Sequence, residues 1–321
     1  MISDQEKNNA LCFVKDIDFG IISEKFLAAQ DVTRGSKNMY RNALKQFFTW
    51  FTQENMLNPT RETILEYKEY LDIKGLRPTT RAGYLVAVRK FFEWAESLKI
   101  YPNVAKGVKG ARRALKSHQK DALVVEQIKK LLSTIDRTTL QGARDFALIN
   151  LLIRTGLRLI EVVRADYRDL DRQSGDDVLL WVRGKGRDGK DECVVIAQDA
   201  LTPILDYVKL RKIKSTQEPL FASLSDRNYG KRLTVFSISR LIKRYLRRAG
   251  INSKRVTAHS LRHTFGVLSI KAGASLYEVQ LAMRHTNPTT TEIYLGDIER
   301  QRRLDDAPEK KIGAFLIREG I

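Results

Sequence analysis

Apolar residues recur at helical spacing through the first hundred positions. From Ser36 to about Glu54, Tyr40, Ala43, Leu44, Phe47, Phe48 and Phe51 fall on one face of a helix. A second helical stretch, Glu62 to Ile73, ends at Gly75 with Pro78 just beyond, the usual stop signals. A third begins after Pro78-Thr79-Thr80 and carries Tyr84, Leu85, Val88, Phe91, Phe92 and Ala95. No strand pattern interrupts them. The spacing predicts an all-α domain of three or four helices over residues 21–105, after a leader, 1–20, that shows no periodicity. The aromatic stripes are core positions and imply nothing catalytic.

Beyond residue 120 the pattern is mixed. Val124, Ile128, Leu131 and Leu132 open a helix, and a second domain is expected over 121–321. An apolar helix from Asp145 to Thr155 stops at Gly156. The runs Val178–Val182 and Cys193–Ile196 alternate with turn chemistry as two strands, joined through Gly184-Lys185-Gly186-Arg187-Asp188-Gly189 into a hairpin with a basic tip. Helices resume near Leu201 and over Ser237–Ala249. The latter carries Ile238, Leu241, Ile242, Tyr245 and Leu246 on one face and Arg240, Lys243, Arg244, Arg247 and Arg248 on the other. A charged helix over Asp297–Asp306 precedes a short apolar patch of Ile312, Phe315, Leu316 and Ile321. The fold class expected is mainly α with a small β-sheet.

Charge narrows the function. The 321 residues hold 57 Lys and Arg against 38 Asp and Glu, a net of +19, which calls for a polyanionic partner. The surplus is localised. A basic linker is expected at 106–120, within a segment from Lys99 to Lys120 that has seven cations and no carboxylate. From Arg227 to Tyr277 there are twelve Lys and Arg and no Asp or Glu, where a solvated face would mix signs. Candidate phosphate contacts are Arg81, Arg89, Lys106, Lys109, Arg112, Arg113, Arg240, Lys243, Arg244 and Arg247. No apolar run is long enough to span a membrane, and the first residues lack a signal-peptide layout. The two cysteines, Cys12 and Cys193, make neither a disulfide framework nor a zinc set.

Three of the four histidines, His259, His263 and His285, lie within 27 residues in this basic region. His259 and His263, at i and i+4, share a helix face as two metal ligands would. The glutamate of a hydrolytic zinc motif is absent, however, and Arg262 adds a fixed positive charge. Guanidinium and imidazole together suit a phosphate better: Arg offers a bidentate fork and His a donor that can also transfer a proton. Upstream, Arg158 follows the helix-ending Gly156 and stands three residues before Glu161, whose carboxylate can hold the guanidinium in one rotamer. Downstream, His285 stands nine residues before Tyr294.

In combination these segments closely resemble the tyrosine recombinase (phage integrase, λ-integrase type) family. Thr155 to Glu161 matches its Thr-Gly-Leu-Arg-x-x-Glu segment. The hairpin around Lys185 matches its lysine-bearing β-turn, with Lys190 as the alternative lysine. His259 to His263 matches its His-x-Leu-Arg-His box, and His285 to Tyr294 its His/Trp-to-Tyr spacing. The likeness runs from about residue 22 to 300 in the family's order. One departure stands out: Met283-Arg284-His285 replaces the usual Leu-Gly-His, and a bulky cation there would crowd the turn or add a phosphate contact.

The resemblance implies a SAM-like helical core-binding domain and a mixed α/β catalytic domain closing as a C-shaped clamp on DNA. It implies that Tyr294 attacks a DNA phosphodiester to give a 3′-phosphotyrosyl link and a free 5′-hydroxyl. Arg158, Arg262 and His285 would hold the phosphorane charge, with His259 as proton acceptor and Lys185 as acid for the leaving oxygen. Glu161 and His263 would support them. No metal, ATP or other cofactor is expected. The expected partner is double-stranded DNA with an inverted-repeat core site, met as a homotetramer that passes through a Holliday junction. The tail (Ile312, Phe315, Leu316) would dock on a neighbouring subunit. The expected role is integration or excision of a mobile element by a two-domain enzyme, in the cytoplasm with the nucleoid. The alternatives are chromosome or plasmid dimer resolution by the same chemistry, and a type IB topoisomerase-like activity on one duplex.

Overall fold

The computed structural model describes residues 18–110, 121–172, 178–184, 189–285, 291 and 307–318. The chain divides into two compact units, Met1–Lys116 and Ser117–Ile321. Among the described residues, the first unit holds α1 (Phe19–Ala29), α2 (Arg34–Gln53), α3 (Arg61–Ile73) and α4 (Pro78–Ser97). Side-chain oxygens of Asp18, Thr33 and Thr60 accept from the N–H groups of Ile21, Ser36 and Thr63, and so start the first three helices. Pro78 opens the fourth, where a missing N–H costs nothing. The predicted aromatic stripes meet in one core. Phe47 and Tyr67 pack edge-on at 4.9 Å between centroids, and Phe48 and Phe91 at 5.3 Å. The buried Tyr67 hydroxyl donates to Gln46 Oε1 at 2.9 Å, which keeps a polar atom satisfied inside that core.

Both ends of this unit differ from the expected boundaries. Asp18 already caps α1 and Phe19 stacks on Phe48 at 4.5 Å, so the folded unit begins before residue 21. At the other end Ala105 and Val108 are 1% and 2% exposed. Arg61 and Arg89 donate to the carbonyls of Lys106 and Val108, pinning that strand of chain down. Residues 106–108 therefore belong to the helical unit. Arg112 and Arg113 of the basic linker lie outside the described residues.

The second unit is built around α6 (Leu140–Thr155), preceded by α5 (Val125–Ser133) and followed by the short α7 (Leu159–Arg164). Three antiparallel strands come next, β1 (Leu170–Arg172), β2 (Val178–Val182) and β3 (Glu192–Ile196), in the order β1-β2-β3. Leu170 faces Leu180, Val178 faces Ile196 and Val182 faces Glu192. The β2–β3 hairpin is the one the alternation predicts; β1 is additional. Helices α8 (Gln198–Arg211), α9 (Val235–Arg248), α10 (Ala258–Lys271), α11 (Leu276–Met283) and α12 (Pro308–Arg318) complete the described residues. No described helix is long and apolar enough to cross a membrane.

Helix α6 is buried along most of its length and packs against both α8 and α10. Its Asp145 carboxylate, fully buried, accepts from Arg144 Nε at 2.8 Å and from the Tyr245 hydroxyl at 2.9 Å, fastening α9 to α6. The predicted apolar face of α9 is the face that packs here. Helix α6 ends at Gly156, whose φ of 61° is left-handed. A β-carbon at Gly156 would lie 2.4 Å from Phe265 Cδ1 of α10. Two demands meet at one residue, a positive φ and a close helix contact. Gly156→Ala is expected to destabilise the second unit by about 2–4 kcal/mol, strain and overpacking together. Urea denaturation would show it as a lowered midpoint with an unchanged slope.

Candidate active site

Arg158 stands at the N-terminus of α7, and Glu161 turns back onto it from the helix's first turn. The Arg158 backbone N–H donates to Glu161 Oε2 at 2.8 Å and its guanidinium to Oε1 at 2.8 Å. The carboxylate is fully buried while the guanidinium stays 29% exposed, so one side of the ion pair is fixed and the other faces outward. The second arginine, Arg262, comes from the middle of α10 and is buried. It donates to the carbonyls of Gly156 and Met283. The Arg158 guanidinium donates to the carbonyl of Arg284 at 3.0 Å. The two guanidinium groups thus hold consecutive carbonyls at the C-terminus of α11. Helix ends leave such acceptors unpaired and carry partial negative charge, which is where cations settle.

His285 follows that turn directly. Its N–H donates to the Gln280 carbonyl at 3.1 Å, and its own carbonyl accepts from Gln280 Nε2 at 3.3 Å. Nδ1 lies 2.9 Å from the hydroxyl of the buried Thr291, which fixes the ring plane. Burial lowers the imidazole pKa to about 4, helped by the charges of Arg262, Arg158, Arg284 and His259. The ring is therefore neutral at pH 7. His259 is exposed on α10, and His263, one turn further, is buried. The charges of Arg158, Arg262 and His259 all act on His285, and Glu161 pairs with Arg158 beside them.

Arg284 corrects one expectation. It takes the left-handed conformation at the end of α11, φ 54°, the backbone a glycine would adopt. The turn is not crowded, because the side chain leaves it. Its guanidinium is 8% exposed and donates to Glu161 Oε2 at 2.7 Å and to the Ala282 carbonyl at 2.8 Å. Glu192 Oε2 lies 3.7 Å from its Nε. Burial pushes the Glu161 carboxyl upward. The Arg284 charge and the Arg158 hydrogen bonds outweigh it and hold the pKa below the usual carboxylate range.

A phage integrase family profile matches residues 122–299, and that family's N-terminal SAM-like domain matches residues 24–99. The chain belongs to the phage integrase family of tyrosine recombinases. The tyrosine recombinase XerC of Salmonella typhi is 33% identical over 223 residues, 69% of this chain and 70% of the relative. XerD of Vibrio cholerae is 28% identical over 283 residues, 86% and 91% of the two chains. Among solved structures, the post-cleavage complex of XerH site-specific recombinase with its palindromic difH substrate superposes with a TM-score of 0.70 at 23% identity. It covers 91% of this chain and 85% of its own. A lambda integrase tetramer bound to a Holliday junction gives 0.66 at 16%, covering 89% and 78%. The fold is theirs. The recombinase is mostly helical with a small three-stranded sheet, and its chemistry is DNA strand cleavage and rejoining.

Lys185 and Tyr294 lie outside the described residues. The alternative lysine of the recombinase, Lys190, is engaged: its Nζ donates to Asp166 Oδ2 at 2.9 Å and also to Asp169 Oδ2. Arg232 binds the other oxygen of Asp166. Lys190 is an anchor for the outgoing limb of the hairpin. Several expected phosphate contacts also have partners within the protein. Arg81 pairs with Asp72, Arg89 holds the Val108 carbonyl, and Arg244 reaches Asp145. Lys243 donates to the carbonyls of Ser253 and Val256 at 2.9 and 3.1 Å. Arg240 lies over the Phe236 ring at 5.6 Å. Together with Arg247 it lines a basic cavity of about 1060 Å³ along α9. Lys106 and Lys109 are exposed. Sequence reasoning missed the two residues that orient His285, Thr291 and Gln280; only the threonine run at 289–291 hinted at the first.

His285 has a pH signature. Folded, it binds a proton only near pH 4, whereas an unfolded histidine does so near 6.5, so the unfolded chain takes up the proton first. This contribution to stability is complete above about pH 6.5 and is lost as the pH falls toward 4. Allowing for the ring's partial exposure, the loss is about 1–2 kcal/mol. Melting temperatures between pH 7.5 and 4.5 should fall less steeply for His285→Gln than for the wild type.

Proposed function

We propose that this recombinase carries out site-specific recombination on double-stranded DNA with Tyr294 as nucleophile. The observation that carries the reading is the convergence of Arg158, Arg262 and His285 on the end of α11, with His285 hydrogen-bonded to Thr291, three residues before Tyr294 in sequence. Attack by the tyrosine oxygen on phosphorus gathers negative charge on the non-bridging oxygens. Two guanidinium groups held by fixed carbonyls and a carboxylate meet that charge without reorganising. With the Thr291 hydroxyl donating to Nδ1, the proton of neutral His285 sits on Nε2 as a third donor. A phenol is protonated at pH 7, so its proton passes to His259, the exposed histidine of the α10 box. The 5′-oxygen leaves with a proton from Lys185, and a 3′-phosphotyrosyl link remains. Lys190, tied to two carboxylates, is the weaker candidate for that acid. The link keeps the phosphodiester energy, so rejoining needs no nucleotide cofactor.

The DNA site is an inverted repeat, bound by a homotetramer in the cytoplasm. The XerH and lambda integrase structures, with their palindromic substrate and Holliday-junction tetramer, support this. Ile312, Phe315 and Leu316 on α12 are 59%, 60% and 37% exposed, which suits docking on a second copy. Between mobile-element movement and dimer resolution, the Xer relatives favour dimer resolution. The Arg284 departure does not bear on this choice, since its side chain serves an internal ion pair.

On a suicide substrate, which traps the cleaved strand, Tyr294→Phe should bind DNA as the wild type does and form no covalent adduct on a denaturing gel. A plasmid with two sites should yield recombinant products; relaxation alone would indicate a topoisomerase. Lys185→Ala should slow cleavage on the order of 10²- to 10⁴-fold. Sulfur in place of the leaving 5′-oxygen needs no proton and should restore its rate, while Lys190→Ala should show no such rescue.

A further inference from the structure

Arg284 does more than replace a glycine. Three hydrogen bonds close a ring: Arg158 Nη2 to the Arg284 carbonyl at 3.0 Å, Arg284 Nη2 to Glu161 Oε2 at 2.7 Å, and Arg158 Nη1 to Glu161 Oε1 at 2.8 Å. One residue therefore holds Arg158 from two directions, directly through its carbonyl and indirectly through the carboxylate. Both are possible because the left-handed backbone at φ 54° lets the carbonyl meet Arg158 while the side chain reaches Glu161. The Glu161 carboxylate has no solvent exposure, so its two oxygens depend on their protein partners: the Arg158 guanidinium on one, and the Arg158 N–H with Arg284 on the other. Glu192, 3.7 Å from Arg284 Nε, is a further carboxylate facing the same guanidinium from β3.

We propose that Arg284 is a positioning residue for strand cleavage, fixing the Glu161 carboxylate and through it the Arg158 guanidinium that meets the scissile phosphate. The proposal rests on the assignment of Arg158 to the phosphate made above. It also has an electrostatic side. With a second cation on it, Glu161 offers less residual negative charge to an incoming phosphate, and the group of Arg158, Arg262 and Arg284 around His285 stays net positive. A fixed, buried ion pair near the reacting group should act on the rate of the bound complex more than on DNA affinity, which the many exposed cations supply.

Single-turnover cleavage of a suicide substrate at saturating protein tests this, with DNA affinity and melting temperature measured alongside. Arg284→Gly accepts the positive φ without strain but leaves the buried Glu161 with one cation fewer, so it should still fold, with a lower melting temperature. Its cleavage rate should fall on the order of 10-fold or more with unchanged DNA affinity. Arg284→Asn, which also tolerates left-handed backbone, should match it and guards against a folding defect peculiar to glycine. Because Arg284 acts through Glu161, its loss should cost little in a Glu161→Gln background: the double variant should cleave about as fast as Glu161→Gln alone. Fully additive losses, or an Arg284→Gly rate equal to wild type, would overturn the inference while leaving the recombinase reading intact. Absence of any adduct in the wild type would overturn both.

Discussion

Two guanidinium groups, those of Arg158 and Arg284, meet on the one buried carboxylate of Glu161, and the rest of the second unit is arranged so that they can. Arg158, Arg262 and Arg284 all act on His285 and, as like charges in a poorly solvated site, repel one another. Glu161 offsets part of it. The remainder is met by oriented carbonyls of Gly156, Ala282, Met283 and Arg284, the ends of α6 and α11. This explains why both helices stop where they do. A longer α6 would use the Gly156 carbonyl within the helix, and a longer α11 would do the same with Met283. The left-handed residues 156 and 284 release those oxygens to the arginines.

The same arrangement sets the state of His285. A histidine surrounded by cations and shielded from water holds a proton weakly, which would make it a poor electrostatic clamp but a sound neutral donor. On the proposed reading an incoming phosphodiester changes the balance, since its negative charge offsets the cations that depress the His285 pKa. The site is thus poised by its own repulsion. On that reading, the positive charge is costly in the free protein and lowers the barrier to the extent that it holds the extra charge of the phosphorane more tightly than that of the phosphodiester.

Much of this was legible in the sequence because motif residues sit on short, strongly patterned elements. Thr155 to Glu161 reads as a helix stop followed by a capped start, and the structure places Arg158 and Glu161 in that relation. The aromatic stripes of α2 and α4 read as core because their spacing follows one helical face. Helix α1 was not legible: Ile21 is exposed beside the buried Ile22, so apolar residues surround the helix and blur its period. Strand β1 was not legible because three residues, two of them charged, show no alternation. The fate of Arg284 was out of reach for another reason. Its partner Glu161 is 123 residues away, and no local pattern reports a contact at that distance.

Charge alone did not distinguish clamps from struts. The stretch from Arg227 to Tyr277 has no carboxylate of its own, yet Arg232, Arg244 and Arg255 find theirs in Asp166, Asp145 and Asp121, far upstream. The acid-free run is therefore neutralised in part through tertiary contacts, and its cations divide by partner. Among those with protein partners, Arg244 ties α9 to α6 through Asp145, and Arg262 ties α10 to the end of α6 through the Gly156 carbonyl. Arg240 and Arg247 are exposed on α9 and line its cavity, the place where the proposed DNA contact would draw on them. Sequence-blind grip by the second group weakens with salt as counterions compete, whereas the buried first group is screened far less. A protein built this way should release DNA at ionic strengths where its fold and its guanidinium cluster are still intact.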